Sequence, residues 1–385
     1  MSNSIPLVIF SSQDWNDLPT RKHRFARVLS SEENPILYIE APYTYLSRFG
    51  DKQYREKEKR SGNIKKIGDN LWVASPPSIM PFYARYHWSH RKACRKLAEF
   101  AMQTTLDIGF PNEYAALFYL PWMNPIREML SPKVSMYDCV DDHSGYGGTS
   151  SQLFLDKAEE NLAGSCDLVF ATARFLSQRL QRFNNNTIYL PNAVDTELFK
   201  PGKASADIKD IPKPRVVYAG ALRWWFDTDL LYRVADELRS VSFIIIGSPR
   251  GRELGKNVNN LKALGNVYFM GRRPQEELPE FMSGCSAGII PFKTIELTKS
   301  VSPLKLYEYS AMGIPTVSTP MMELESLPEE VVTIARNNNE FVDGIKKIID
   351  NNTDNKTIRE FALENNWQGR VDRFKRELAD IWQKK

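Results

Sequence analysis

Short apolar runs alternate with amphipathic segments along the chain, and this alternation limits the fold more than any other feature. The first half contains the runs PLVIFSS (6–12), PILYIEAP (35–42), NLWVASPP (70–77), AALFYLPWM (115–123), KVSMYDCV (133–140), LVFATA (168–173) and TIYLPNA (187–193). Helical patterns such as RKHRFARVLS and HRKACRKLAEFAM separate several of them. Apolar strands that alternate with helices are typical of a parallel sheet covered on both faces.

A second series of the same kind follows a polar stretch, KPGKASADIKDIPKP (200–214), which we interpret as a linker. Its runs are RVVYAGAL (215–222), SFIIIGSP (242–249), NVYFMGRR (266–273), AGIIPFK (287–293), PTVSTP (315–320) and VVTIAR (331–336). The sequence therefore predicts an α/β protein with two doubly wound, Rossmann-like domains over 1–199 and 200–365. Because ligands bind at the carboxyl ends of parallel strands, we expect functional residues in the loops after strands, facing a cleft between the domains.

Composition excludes several classes of protein. A net charge of +4 over 385 residues does not support a dedicated nucleic-acid binder. The four cysteines are scattered, so we expect reduced thiols in a cytoplasmic protein. The first residues do not resemble a signal peptide, and no apolar run is long enough to span a bilayer. Any contact with the cytoplasmic face of the membrane would be peripheral.

The stretch SVSPLKLYEYSAMGIPTVST (300–319) predicts a helix that opens at Ser302-Pro303 and closes at Gly313, followed by a buried strand. Lys305 lies in the first turn, where the helix dipole disfavours a cation by about 0.3–1 kcal/mol. An anion bound at this helix end would remove the conflict. The alternative is an exposed pair between Lys305 and Glu308, worth about 0.2–0.5 kcal/mol. We favour the anion site.

Other residues after strands of this domain could complete the site. Gly220 allows close approach of the backbone, and Arg223 could clamp a pyrophosphate together with Lys305, or be a surface charge. Glu308 could accept hydrogen bonds from both hydroxyls of a ribose. Arg250 and Arg272 follow neighbouring strands and could frame a base.

Metal sites are not convincing in this sequence. Asp227-Thr228-Asp229 matches the D-x-D motif of metal-dependent sugar transferases, but an N-cap aspartate at the start of a helix explains it better. The four histidines are dispersed, so we expect no metal site.

The strand KVSMYDCV is followed by DDHSGYGG, which places Asp141, Asp142 and His143 at a carboxyl strand end. A carboxylate or imidazole there could act as a general base, although such clusters are also typical of turns.

The loop after the first strand carries four candidate acceptor contacts, Asp14, Trp15, Arg21 and Lys22. Trp15 could pack on a ring of the bound ligand, while Arg21 and Lys22 could meet a phosphate. A capped helix with a solvated basic face is the alternative.

Two further stretches are basic. FYARYHWSHRKACRKLAEF (82–100) mixes aromatic and basic residues at helical spacing. It fits an interfacial patch near anionic lipid or an ordinary amphipathic helix. DKQYREKEKRSGNIKK (51–66) balances its basic residues with acids, and we expect a mobile surface loop.

Four segments together resemble the C-terminal half of GT-B glycosyltransferases: LPNAVDTELF (190–199), VVYAGAL, NVYFMGRRPQEELPEFMSGCSAGIIPF and SPLKLYEYSAMGIPTVST. The likeness covers most of 187–320 and is nearest to the bacterial polysaccharide and cell-wall enzymes of the retaining family four. It implies that Glu308 holds the donor ribose and that Arg223 and Lys305 bind the donor phosphates. It also implies that a C-terminal helix over 366–385 crosses back to the first domain.

One position departs from the retaining pattern, because Ser300 stands where that family usually carries a glutamate. Xanthan-type glucuronosyltransferases lack that acid but share the helix with Ser302, Lys305 and Leu306. They place a catalytic aspartate at a strand end that matches Asp141. The resemblance implies transfer of a sugar from a nucleotide diphosphate donor, such as a UDP-sugar, to a lipid-linked glycan without metal or cofactor. A nucleotide-sugar 2-epimerase and a non-catalytic scaffold of the same fold are the alternatives.

Overall fold

The computed structural model describes residues 4–49, 52–143, 145, 152–249, 252–351 and 355–385. The chain forms two compact units, one of Met1–Pro191 with Arg370–Lys385 and the other of Asn192–Gly369. The strands are β1 (Leu7–Phe10), β2 (Ile36–Ile39), β3 (Ile64–Gly68), β4 (Leu71–Ala74), β5 (Ala115–Phe118), β6 (Val134–Cys139), β7 (Leu168–Ala171), β8 (Thr187–Tyr189), β9 (Arg215–Ala219), β10 (Ser242–Ile246), β11 (Val267–Gly271), β12 (Ala287–Ile290), β13 (Thr316–Ser318) and β14 (Val332–Ile334).

The α-helices lie between these strands and at the end of the chain. They are α1 (Arg21–Ser31), α2 (Lys52–Arg60), α3 (His87–Asp107), α4 (Asn124–Leu130), α5 (Gln152–Ser165), α6 (Arg174–Leu180), α7 (Thr228–Glu237), α8 (Arg252–Ala263), α9 (Leu278–Met282), α10 (Glu296–Lys299), α11 (Leu304–Ala311), α12 (Asn338–Asp350), α13 (Lys356–Glu364) and α14 (Trp367–Lys384).

The sheet of the first unit has the strand order β3-β4-β2-β1-β5-β6-β7-β8. Every neighbouring pair is parallel except β3 and β4, which are antiparallel. Each of the seven apolar runs of the first half forms a strand, as predicted. The polar β3 at the edge was not predicted.

The prediction of a mobile loop over 51–66 is wrong, because α2 and the start of β3 lie there. Tyr54 is buried against the unit. Lys57 and Arg60 on α2 form ion pairs with Asp14, at 2.9 and 3.3 Å. The charges that suggested a solvated loop therefore hold the helix in place.

The sheet of the second unit is wholly parallel and has the order β11-β10-β9-β12-β13-β14. In order of appearance within the unit, its strands run 3-2-1-4-5-6, which is the Rossmann order. The winding reverses between β9 and β12. Ligands of such sheets bind outside the carboxyl ends of the strands at this point.

The predicted domain boundary at 199/200 differs from the boundary between the two units, which lies at Pro191 and Asn192. Val194 and Phe199 are buried in the core of the second unit, and so is Ile208 of the stretch interpreted as a linker, which therefore packs on that unit.

The last helix packs on the first unit from Arg370 onward. The ring of Phe374 lies 5.2 Å from that of Phe25 and 5.0 Å from that of Phe170. None of the helices that the structure describes is both long and apolar enough to cross a bilayer.

Candidate active site

The helix α11 and the strand after it lie where the sequence predicts them. The helix runs from Leu304 to Ala311 with Pro303 as its N-cap, and β13 begins at Thr316. The hydroxyl of Tyr309 accepts a hydrogen bond from the backbone N–H of Ala219 at 2.9 Å. This bond fixes the helix against the carboxyl end of β9.

The Lys305 side chain lies at the point where the winding of the sheet reverses. Its Nζ is 5.1 Å from the ring centres of both Tyr218, on β9, and Phe292, just after β12. Among the described residues, the ammonium has no hydrogen-bond or ion-pair partner. Burial lowers the pKa of Lys305 to about 8, although the nearby Glu308 carboxylate opposes the shift. Because Glu308 is itself buried, the exposed surface pair considered above is not what forms.

Gly220 lies beside this ammonium, and Gly247 lies beside Gly220. Gly220 follows β9 with φ +150°, and Gly247 follows β10 with φ +148°. A Cβ on Gly247 would lie 2.0 Å from the carbonyl oxygen of Gly220, and a Cβ on Gly220 would lie 2.6 Å from Lys305 Nζ. The two strand ends therefore pack with no room for side chains.

Two more predicted donor residues lie near the start of α11 or after β9. Ser302 is buried, and its carbonyl accepts a hydrogen bond from Asn192 Nδ2 at 2.9 Å. Arg223 is half-buried, with its guanidinium 5.6 Å from the centre of the Trp225 ring. Its role in donor binding stays a prediction.

The structure gives less support to a donor contact by the remaining predicted residues. The Leu306 side chain is fully buried in the core, and its N–H donates to the Pro303 carbonyl, so its position gives no support to a donor contact. Arg272 is exposed after β11. Arg250 lies outside the described residues.

Asp227 caps α7, as the sequence analysis favoured. Its carboxylate accepts hydrogen bonds from the backbone N–H groups of Asp229 and Leu230, at 3.1 and 2.9 Å. Over the described ranges, no group of three or more His, Cys, Asp or Glu side chains could hold a metal ion.

In the first unit, Lys22, Asp141 and His143 form an electrostatic cluster at the carboxyl edge of the sheet. Burial lowers the pKa of Lys22 and of His143, and the Asp141 charge opposes both shifts. The His143 ring is hydrogen-bonded to the backbone of Tyr119. Its Nε2 is buried and has no hydrogen-bond partner within the described part of the chain. The imidazole is therefore held neutral next to the Asp141 carboxylate.

Asp142 has a different environment from its neighbour. It accepts from Arg179 Nη1 at 3.1 Å, and the same guanidinium donates to the buried Glu159 at 2.6 Å. This arrangement joins the loop after β6 to α5 and α6, so the role of Asp142 is structural.

Two of the predicted acceptor contacts are engaged inside the protein. Arg21 Nε donates to Asp138 Oδ2 at 2.7 Å, and both side chains are almost fully buried. Asp14 pairs with Lys57 and Arg60 of α2. Burial raises the pKa of Asp14, although Lys57 opposes the shift.

Trp15 packs by its edge on the Tyr38 ring at 5.0 Å, and the Arg27 guanidinium covers it at 5.3 Å. Of the four predicted acceptor residues, only Lys22 lies in the cluster with Asp141. An acceptor contact by any of the four stays a prediction.

Sequence reasoning missed Asp138 and the contact of Lys305 with the rings of Tyr218 and Phe292. An aspartate within the apolar run KVSMYDCV is a usable signal, because a buried carboxylate requires a partner. The rings gave no such signal, since aromatic residues are common in any core.

Residues 213–351 match the family model described as glycosyl transferases group 1. The chain is also similar to a Bacillus subtilis protein, TuaH, provisionally named as a teichuronic acid biosynthesis glycosyltransferase. The two are 23% identical over 338 residues, which cover 81% of this chain and 80% of TuaH.

Solved structures of other proteins share this architecture over the whole chain. Sucrose-phosphate synthase from Thermosynechococcus elongatus superposes with a TM-score of 0.75 at 14% identity and covers 100% of both chains. Anabaena HepE, solved in complex with UDP-glucose, gives 0.68 at 15% identity, covering 98% of this chain and 100% of HepE. The prediction of a glycosyltransferase with the GT-B fold is confirmed.

Proposed function

We propose that this glycosyltransferase moves a sugar from a UDP-sugar to a glycan acceptor in cell-wall or polysaccharide biosynthesis, with the donor diphosphate at Lys305. The observation that carries the proposal is the half-buried Lys305 ammonium at the switch point of a Rossmann sheet, which has no hydrogen-bond or ion-pair partner among the described residues. An unpaired ammonium in such a place is costly unless an anion joins it.

The leaving diphosphate needs charge neutralisation as its bond to the sugar breaks. Lys305, the amino end of α11 and Arg223 are the groups of the second unit that supply positive charge. Glu308, one turn further along the helix, would accept the ribose hydroxyls. The scheme includes no metal, so a chelator should leave transfer unchanged.

The acceptor hydroxyl must lose a proton during transfer. We assign this proton to the Asp141 carboxylate, which is half-buried next to the neutral His143. Asp142 is less suitable, because Arg179 already occupies its carboxylate. The positive charge of Lys22 would offset the negative charge of Asp141, so that the net charge of the cluster is near zero.

The type of acceptor follows from the relatives. TuaH is named for teichuronic acid biosynthesis, and the resemblance of the α11 region is to polysaccharide enzymes. We therefore propose a lipid-linked saccharide as the acceptor.

A transfer assay tests the proposed function. UDP-glucose, UDP-N-acetylglucosamine and UDP-glucuronate, each labelled in the sugar, would be incubated with the protein and a lipid extract that contains glycan intermediates. We expect label in the lipid phase with one donor, and no label with the Lys305→Met variant. A product formed from donor alone as an epimer would contradict transfer. The absence of label with every donor, together with no thermal shift by UDP, would contradict the donor site.

A further inference from the structure

A groove of about 480 Å³ opens on the first unit, between α3, α4, α5 and the segment after β5. Pro121 and Trp122, in the segment after β5, also line it. One wall belongs to α5, the helix that follows β6. The groove therefore lies at the carboxyl edge of the sheet, which is also the edge of Asp141.

The charges around the groove are mainly positive. Arg91 and Arg95 lie one turn apart on α3, and Lys157 lines the groove from α5. Neither arginine has an ion-pair partner among the residues that the structure describes, and Lys157 has an exposed one, Glu160 at 2.8 Å. The lining contains one acid, Glu128. Two arginines that can donate in parallel are suited to a phosphate group.

Apolar side chains also line the groove. Met129 on α4 and Phe154 on α5 line it, and the Phe154 ring rests edge-on against His90 at 5.3 Å. The neighbouring Leu153 is 78% exposed, and Trp88 near the start of α3 is 55% exposed. A groove lined by both cationic and apolar side chains matches a ligand with an anionic head and an apolar chain.

We propose that this groove binds the phosphate-bearing end of an amphipathic ligand. The phosphate lies between Arg91, Arg95 and Lys157, and the apolar chain lies along Met129 and Phe154. Identifying that ligand as the lipid-linked acceptor rests on the proposed function. Binding by the groove does not depend on it.

Titration calorimetry with three probes tests the groove: decyl phosphate below its micelle concentration, decanol, and inorganic phosphate. We expect the wild type to bind decyl phosphate more tightly than either fragment. The double variant Arg91→Gln/Arg95→Gln should weaken this binding about tenfold or more, because it removes charged hydrogen bonds to the phosphate. Phe154→Ala should weaken the binding of decyl phosphate and leave the binding of inorganic phosphate unchanged.

The matched control is Lys92→Gln/Lys96→Gln, which removes the same charge from the same helix outside the groove lining. We expect it to bind like the wild type. An equal loss of affinity for decyl phosphate in the control variant would show diffuse attraction to anions and would contradict binding in the groove. If the wild type bound decanol or inorganic phosphate as tightly as decyl phosphate, the proposal of an amphipathic ligand would be wrong. UDP titration of the same preparations separates the two proposals, because UDP binding should survive all of these substitutions.

Discussion

The Lys305 side chain lies directly against the backbone of Gly220, so that a Cβ built on this glycine would be 2.5 Å from Lys305 Cε. The two residues lie far apart in the sequence, but the position of the Lys305 side chain depends on the missing side chain of Gly220. An ammonium can reach the switch point of the sheet only if the strand end beneath it carries no side chain.

Replacing Gly220 with alanine should displace Lys305. We expect UDP affinity to fall about tenfold or more, because the ammonium leaves the position between Tyr218 and Phe292. Gly265→Ala is the control, since Gly265 also has a positive φ, of +81°, but has no neighbour within 4 Å of its Cβ. Equal UDP affinity of Gly220→Ala and the wild type would show that Lys305 does not need its present place.

The unliganded protein should become more stable when Lys305 is replaced by methionine. Burial lowers the pKa of Lys305 from 10.5 to about 8, so the unfolded chain binds more protons between these values. Stability due to this residue therefore rises as pH increases through that range, and the charged lysine is unfavourable at pH 7. We expect a gain on the order of 1 kcal/mol, allowing for partial exposure, by urea unfolding.

The matched control for this measurement is Lys299→Met, because Lys299 is exposed on the preceding helix and pairs with Glu296. It should change stability by less than about 0.5 kcal/mol. A loss of stability in Lys305→Met at pH 7 would mean that the ammonium already has a stabilising partner.

UDP binding should take up protons near pH 8. A diphosphate beside Lys305 favours the ammonium and raises its pKa from about 8, so the deprotonated fraction gains a proton on binding. Calorimetry in two buffers of different ionisation enthalpy measures the uptake. We expect it to be largest near pH 8 and small at pH 6. Equal heats in both buffers at pH 8 would exclude the lysine from the phosphate contact.

Asp141 and Asp142 should differ in the effect of conversion to asparagine. Asp141→Asn should reduce transfer by about 10²–10⁴-fold, the usual contribution of a general base, and leave UDP binding unchanged. Asp142→Asn should instead lower the melting temperature, since it leaves Arg179 with one carboxylate fewer. If Asp142→Asn instead reduced transfer, and Asp141→Asn lowered the melting temperature, Asp142 would be the general base.

The strands could be predicted because each is a continuous apolar run, and only the polar edge strand β3, IKKIG, escaped. The place of Lys305 in the first turn of a helix could be predicted from the start and stop signals around 302–313, whereas its contact with a phosphate stays a prediction. The buried pair of Arg21 and Asp138 could not, because the partners are 117 residues apart and no local pattern connects them. Its Arg21 therefore looked like a surface cation available to a substrate.

The same reason explains the uneven result for the acceptor loop. Asp14 and Arg21 were chosen for their charge and position after a strand, yet both are neutralised by side chains from other elements. Sequence shows which groups are charged near a site, whereas tertiary packing decides which of them still need a partner.

The central claim is that Lys305 binds the donor diphosphate, and calorimetric titration of UDP into the wild type and Lys305→Met tests it most directly. The account predicts saturable binding to the wild type and a loss of about 10-fold or more in the variant, corresponding to about 1.5–3 kcal/mol for one charged hydrogen bond. Equal affinity of the two proteins for UDP would contradict it.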